Sequence, residues 1–379
     1  YRRFINELEA AGSLDRELEF LPTDEQLIER SNADGGLTLP ELSVLISYAK
    51  STLKSDLIAA GLPADGQLQQ HVTKAFPTTL AERYPDDLHE HRLKREIVAT
   101  QIANDLVDHM GITFVRQLRD STGASRVEIA QAYVIARDSF GLNPLWEQIE
   151  ALDYHVDSQT QYAMMLDLMR LLRRATRWFL RHRGSLGVKE CVEQYAPQLA
   201  QLKEDIGNRL SGDEREAWST RRDELVKAKV PEALASVVAA ASSLYAGLGI
   251  IQAARTSGDK IQRVAETYYA IGQRLELPRM MQQINSLEVR DSWQAQARET
   301  FRDDLDRQQL ALTVKVLGMT DAPREIEPRV AHWQEQHAPL FERWNALLAE
   351  IGTGTQISFP LVAVAIRELV DLAESESEG

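Results

Sequence analysis

Apolar side chains recur along this chain at three- and four-residue steps, and no segment sustains the alternation of a strand. Leu42, Leu45, Ile46, Ala49 and Leu53 form one such stripe, and Ile129, Tyr133 and Ala136 begin another. A start signal precedes each. Thr38-Leu39-Pro40-Glu41 and Ser125-Arg126-Val127-Glu128 set a hydroxyl three residues before a glutamate, so that side chains can satisfy the free amides of a first turn. The pattern predicts helices over 38–60, 88–110, 125–140, 158–183, 188–210, 213–229, 231–256, 260–275, 290–317, 325–350 and 358–374. The expected fold is all-α, a multi-helix bundle, closed by a solvated acidic tail from Glu374.

A longer period lies over the helical one. Shifting the chain by 135 residues lays 122–152 over 257–287 without a gap. Gly123, Ala130, Tyr133, Leu142, Gln148, Ile149 and Leu152 then meet the identical Gly258, Ala265, Tyr268, Leu277, Gln283, Ile284 and Leu287. The matched glycines and the shared Gln-Ile-x-x-Leu ending point to an internal duplication of a helix–turn–helix unit. A boundary is expected at Gly184-Ser185-Leu186-Gly187, dividing a helical half 1–184 from a second half 185–379.

Composition narrows the function classes. With 379 residues, 44% hydrophobic and 26% charged, the chain has ample material for real cores and is too large for a single ordinary domain. Its formal charge of −14 is spread evenly: residues 1–184 carry 21 basic and 27 acidic side chains, the remainder 22 and 30. No basic half exists to hold nucleic acid. Cys191 is the one cysteine, so no intrachain disulfide forms and a reducing, cytoplasmic setting is expected. The opening Tyr1-Arg2-Arg3-Phe4-Ile5 reads as part of a helix within a longer polypeptide. Between Glu232 and Arg255 run 22 uncharged residues, but Ala, Ser and Gly dominate them; a buried bundle helix is expected rather than a membrane span.

Candidate chemistry is sparse. Gly247-x-Gly249 and Gly352-x-Gly354 lack the third glycine and the preceding strand of a dinucleotide fold. His89 and His91 point about 200° apart on a helix, and His332 and His337 also miss a common face. Asp303, Asp304 and Asp306 resemble a magnesium cluster, the basis of a reading as a self-standing helical enzyme, but position 307 is Arg where a further carboxylate is needed. No catalytic, cofactor or metal ligand set is therefore assigned. The strongest charged feature is an arginine stripe. Arg170, Arg173, Arg174, Arg177 and Arg181 share one helix face, which can clamp a carboxylate, a phosphate or an acidic partner, or pair with the protein's own acids.

Four runs carry a family resemblance: Gly36–Lys50 (GLTLPELSVLISYAK), His91–Val107 (HRLKREIVATQIANDLV), Gly111–Val115 (GITFV) and Arg174–Trp178 (RATRW). Together with 265–310 they resemble the large bacterial NAD-specific glutamate dehydrogenases, over essentially the whole chain. Position 39 is Leu where the resemblance leads one to expect Arg. The resemblance implies a very long, homo-oligomeric polypeptide that oxidatively deaminates L-glutamate to 2-oxoglutarate and ammonia with NAD. Its catalytic residues and nucleotide fold would precede Tyr1, so this chain would bind no cofactor itself. It would serve as a C-terminal helical region partnered with its own catalytic region. The alternative is an effector-sensing domain that takes an anionic metabolite on the arginine stripe.

Overall fold

A computed structural model describes residues 1–60, 66–204, 206–210, 212–352 and 357–375, and these are helices and connecting turns with no strand. In chain order the helices are α1 (Arg2–Ala10), α2 (Asp24–Asn32), α3 (Leu39–Ala59), α4 (Gly66–Lys74), α5 (Thr78–Arg83), α6 (Pro85–His89), α7 (Lys94–Met110), α8 (Phe114–Thr122), α9 (Arg126–Ser139), α10 (Leu142–Glu150), α11 (Ser158–His182) and α12 (Val188–Glu204). They continue as α13 (Ile206–Arg209), α14 (Gly212–Lys227), α15 (Glu232–Ala239), α16 (Ala241–Leu244), α17 (Ala246–Ser257), α18 (Ile261–Arg274), α19 (Leu277–Ser286), α20 (Ser292–Gly318), α21 (Ile326–Gln336), α22 (Ala338–Gly352) and α23 (Phe359–Glu374). The chain forms two compact units. One holds Tyr1–Asn143 with Leu172–Ala196, the other Pro144–Leu171 with the chain from Pro197 onward. Gly184–Gly187 connect α11 to α12.

The first unit is organised by α3, α7 and α9. Both expected capping boxes form. The Thr38 amide donates to Glu41 Oε2 at 2.7 Å while the Glu41 amide donates to Thr38 Oγ1, and Ser125 and Glu128 repeat the exchange. From there Leu45, Ala49, Leu53 and Leu57 bury one stripe of α3 against α7, which buries Val98, Ala99, Ile102, Ala103, Leu106, Val107 and Met110. Helix α9 is enclosed on nearly every side, from Ile129 to Ser139.

The 27-residue α20 is the spine of the second unit, packing α17, α18, α19 and α23. Trp333 and Trp344 lie at the centre of its core, and Trp344 donates its indole N–H to the Leu275 carbonyl at 3.1 Å. The uncharged stretch after Glu232 differs from its expectation as a single helix. It breaks into α15, α16 and α17, and the stretch Ala241–Ser257 is bent 55° from Glu232–Ala239. Trp218 Nε1 donates to the Ser236 carbonyl at 3.0 Å, and the Ala240 amide reaches both Ser236 and Val237, tightening the last turn of α15. Leu234, Val238, Leu244, Leu248, Ile250 and Ile251 are buried. At Gly247 a Cβ would sit 2.8 Å from Leu199 Cδ2, so a larger residue there would displace that side chain. No single described helix is long and apolar enough to cross a membrane, although the bent pair passes by length and composition.

Candidate functional site

The arginine stripe lies on α11 as predicted, and none of its five members is without a partner. Arg170 is exposed and donates to Asp167 at 2.9 Å; that carboxylate also takes Arg221 at 2.9 Å. Arg173 donates to Gln117 Oε1 at 2.7 Å, with its guanidinium 5.5 Å from the Phe114 ring centroid. Arg177 is buried, and Arg174, Arg177 and Arg181 also make polar or electrostatic interactions within the protein. The stripe is thus a graded feature, solvated at Arg170 and Arg181 and enclosed at Arg177.

The other singled-out residues do not assemble into a site. His89 is exposed; His91 accepts the Leu93 amide at 3.1 Å and stands against Phe76. His332 faces Asp321, while His337 is buried under Trp333 and donates from Nδ1 to that residue's carbonyl. Asp304 pairs with Arg307, the residue that breaks the magnesium pattern, at 3.1 Å. Asp306 faces Glu214, whose carboxyl is pushed up to about 7 by burial and then by that neighbouring charge. Among the described residues no three His, Cys, Asp or Glu side chains converge on one point. Gly247-x-Gly249 is embedded in α17, and part of Gly352-x-Gly354 falls outside the described residues.

What sequence reading did not find is a buried charge network between α4, α7 and α9. Arg137, with a side chain only 2% exposed, donates through Nη1 to Asp105 Oδ2 and through Nε and Nη2 to Asp138 Oδ1 at 2.7 Å. Its Nη2 also lies 3.2 Å from His71 Nε2. An arginine can only donate, so His71 accepts there and carries its proton on Nδ1. Tyr133 completes the set, its hydroxyl donating to Asp105 Oδ2 at 2.9 Å, and His109 Nδ1 lies 3.1 Å from Asp105 Oδ1.

Protonation follows from these contacts. Burial opposes ionisation of Asp105, but the His109 hydrogen bond and the Arg137 charge outweigh it and hold the carboxyl well below the usual range. Burial, then the Arg137 charge, lowers His71 to about 4. Burial likewise lifts the Tyr133 phenol well above its ordinary value. Asp105 lies within the signature run 91–107, and Arg137-Asp138 interrupts an otherwise apolar helix. That interruption is the one sequence signal that could have marked the network.

A second unpredicted feature belongs to α19, α20 and α23. An open groove of about 930 Å³ is lined by Leu287, Ile357 and Phe359 with Arg279, Arg290 and Trp293. Both arginines are ion-paired, to Glu276 at 2.8 Å and Glu288 at 3.0 Å.

These features define a class: an all-helical region whose enclosed charges pair with one another and brace the helices. The chain belongs to the family described as "Glutamate dehydrogenase, C-terminal", which matches residues 34–371. It is 65% identical over its whole length to the NAD-specific glutamate dehydrogenase of Halomonas elongata, 51% identical to that of Pseudomonas aeruginosa over its whole length, and 30% identical over 99% of its length to that of Mycobacterium tuberculosis. It covers 24%, 24% and 23% of those proteins, so the chain spans about a quarter of the length of the relatives it matches.

Proposed function

We propose that the chain is the non-catalytic, helical C-terminal region of an NAD-dependent glutamate dehydrogenase, supporting subunit assembly or the geometry of the catalytic region. The whole enzyme would convert L-glutamate to 2-oxoglutarate and ammonia in the cytoplasm as a homo-oligomer, with NAD bound outside this chain. The observation that carries this reading is full-length similarity to dehydrogenases about four times as long. The polar interior supports it, because Arg137, Asp105, Asp138 and His71 are occupied with one another. The test compares glutamate-dependent NAD reduction by this chain alone and by the full-length polypeptide. Activity only in the full-length protein is expected; turnover by the chain alone would refute the proposal.

A second reading rests on the exposed ends of the arginine stripe, Arg170 and Arg181. There an anionic metabolite could be sensed by exchange for the internal carboxylate partner. Calorimetry against small dicarboxylates and nucleotides, with Arg173→Ala as control, tests it, and silence across that panel removes it.

The helical region is also a product of internal duplication in this proposal. Support comes from element boundaries: α9 and α18 are offset by 135 residues at both ends, and the preceding Gly123 and Gly258 close their helices at φ 74° and 75°. The positions after those helices, Gly141 and Glu276, both take positive φ, at 60° and 50°. An offset of 137 then aligns α11 with α20. Thr176 bonds the Leu172 carbonyl as Thr313 bonds that of Gln309.

A further inference from the structure

We infer that the loop over residues 13–22 is a docking knob, whose Leu18 and Phe20 seat in an apolar socket with a basic rim on the polypeptide that precedes Tyr1. The inference rests on the reading above that this region docks on its own enzyme. Leu18 and Phe20 are 75% and 88% exposed, whereas Leu14 and Leu21 on either side are buried. A pliant loop would fold such side chains back onto the protein, but this one is built to prevent that. Asp15 Oδ1 accepts the amides of Glu17 and Leu18 at 3.0 and 3.1 Å, and the Leu21 amide closes on the Arg16 carbonyl at 3.0 Å. Arg16 is clamped from beneath by Glu9, Asn6, Asp24 and the Pro22 carbonyl. Tyr48 of α3 donates to Glu19 at 2.6 Å. Phe20 meanwhile stands at φ 52°, a left-handed backbone that a β-carbon disfavours. Strain, rigidity and an exposed aromatic ring coincide on one turn, the combination from which interface anchors are made.

The occupant follows from the position of the loop. Relatives of this C-terminal family are about four times as long, so in them most of the chain lies before this region. Asn6 bonds both Arg16 and Asp24, fixing the loop to α1 about 7.5 Å of helix rise from Tyr1. The knob therefore stands beside the place where the preceding polypeptide enters. Asp15 and Glu17 are exposed around it, so the complementary rim is basic.

The experiment uses the full-length polypeptide with a photoreactive benzoyl-phenylalanine at position 20 and, separately, at the exposed Tyr154. Mass spectrometry of the irradiated protein is expected to map the position-20 links to residues before Tyr1. Links from position 20 only to another copy's helical region, or none at all, would overturn the knob. Links to the preceding region from position 154 alone would overturn the knob but leave the docking reading standing. In parallel, Phe20→Asn removes the ring but tolerates the left-handed backbone, so the turn itself keeps its conformation. Amide exchange across 13–22 should nevertheless accelerate at least tenfold. Exchange equal to that of the unaltered protein would count against the proposal.

Discussion

His71 is held neutral first by burial and then by the guanidinium that faces it. Its buried ring meets Arg137 directly, with Asp138, Asp105 and Lys74 as the other charges nearby. A folded value near 4 against an ordinary 6.5 means that the unfolded chain binds the extra proton between those limits. Stability is thus complete above pH 6.5 and is lost as pH falls toward 4, by roughly 3 kcal/mol at most. Denaturant unfolding across that range should show the loss in a Glu214→Gln background, which removes the opposing slope of Glu214, and adding His71→Gln should flatten it. Arg137→Met leaves Asp105 and Asp138 buried without their cation and is expected to cost about 3–5 kcal/mol in the same assay. Arg329 is a different device. It is buried, and its guanidinium donates to the carbonyls of Val316, Met319 and Pro323 at 2.8–2.9 Å, closing the C-terminal end of α20. Arg329→Ala should cost about 2–3 kcal/mol, read as a lower urea midpoint. Asp138 adjoins Arg137 in the sequence, but Asp105 is 32 and His71 66 residues away, so the sequence shows an Arg-Asp pair on the helix and not the partners that complete the network.

Helices were legible where the apolar period was sustained, with or without a capping signal. Those predicted over 38–60, 125–140, 260–275 and 290–317 correspond closely to α3, α9, α18 and α20. Thr38→Ala removes the oxygen that accepts the Glu41 amide and should lower stability by about 1 kcal/mol, measurable as a shift in thermal midpoint. Short helices such as α5 and α6 escaped prediction because six and five residues are too few to display a period. The helix expected over 325–350 instead divides at His337 into α21 and α22. Pro339 has no amide to continue the ladder of α21, and it sits instead in the first turn of α22, where no intrahelical donor is needed.

Across the whole molecule one group in each unit, His71 and Glu214, titrates in the opposite sense to the other. Glu214 in the second unit is pushed up to about 7 from its ordinary 4.5, so its contribution is present below pH 4.5 and lost as pH rises toward 7. His71 in the first unit behaves in reverse over an overlapping range, so the two contributions offset each other, and Glu214→Gln should steepen the loss of stability as pH falls from 6.5 to 4. Light scattering across a concentration series addresses assembly. A stable dimer or tetramer of this chain is the outcome expected if its helices hold a subunit contact, and a strict monomer would shift the proposed role to docking on the catalytic region.

Fold class, the principal helix starts, the family and the arginine stripe were all written in the sequence. Each is a local or linear property: a period of 3.6, a hydroxyl three residues before a glutamate, a run of residues in order. Tertiary structure alone decided that Asp105, Arg137 and His71 meet, that Arg329 turns back to close the preceding helix, and that Leu18 and Phe20 stay outside while Leu14 and Leu21 go in. Burial and charge pairing depend on which elements come together in space, and residues far apart in the chain carry no mark of one another until packing has excluded the water between them.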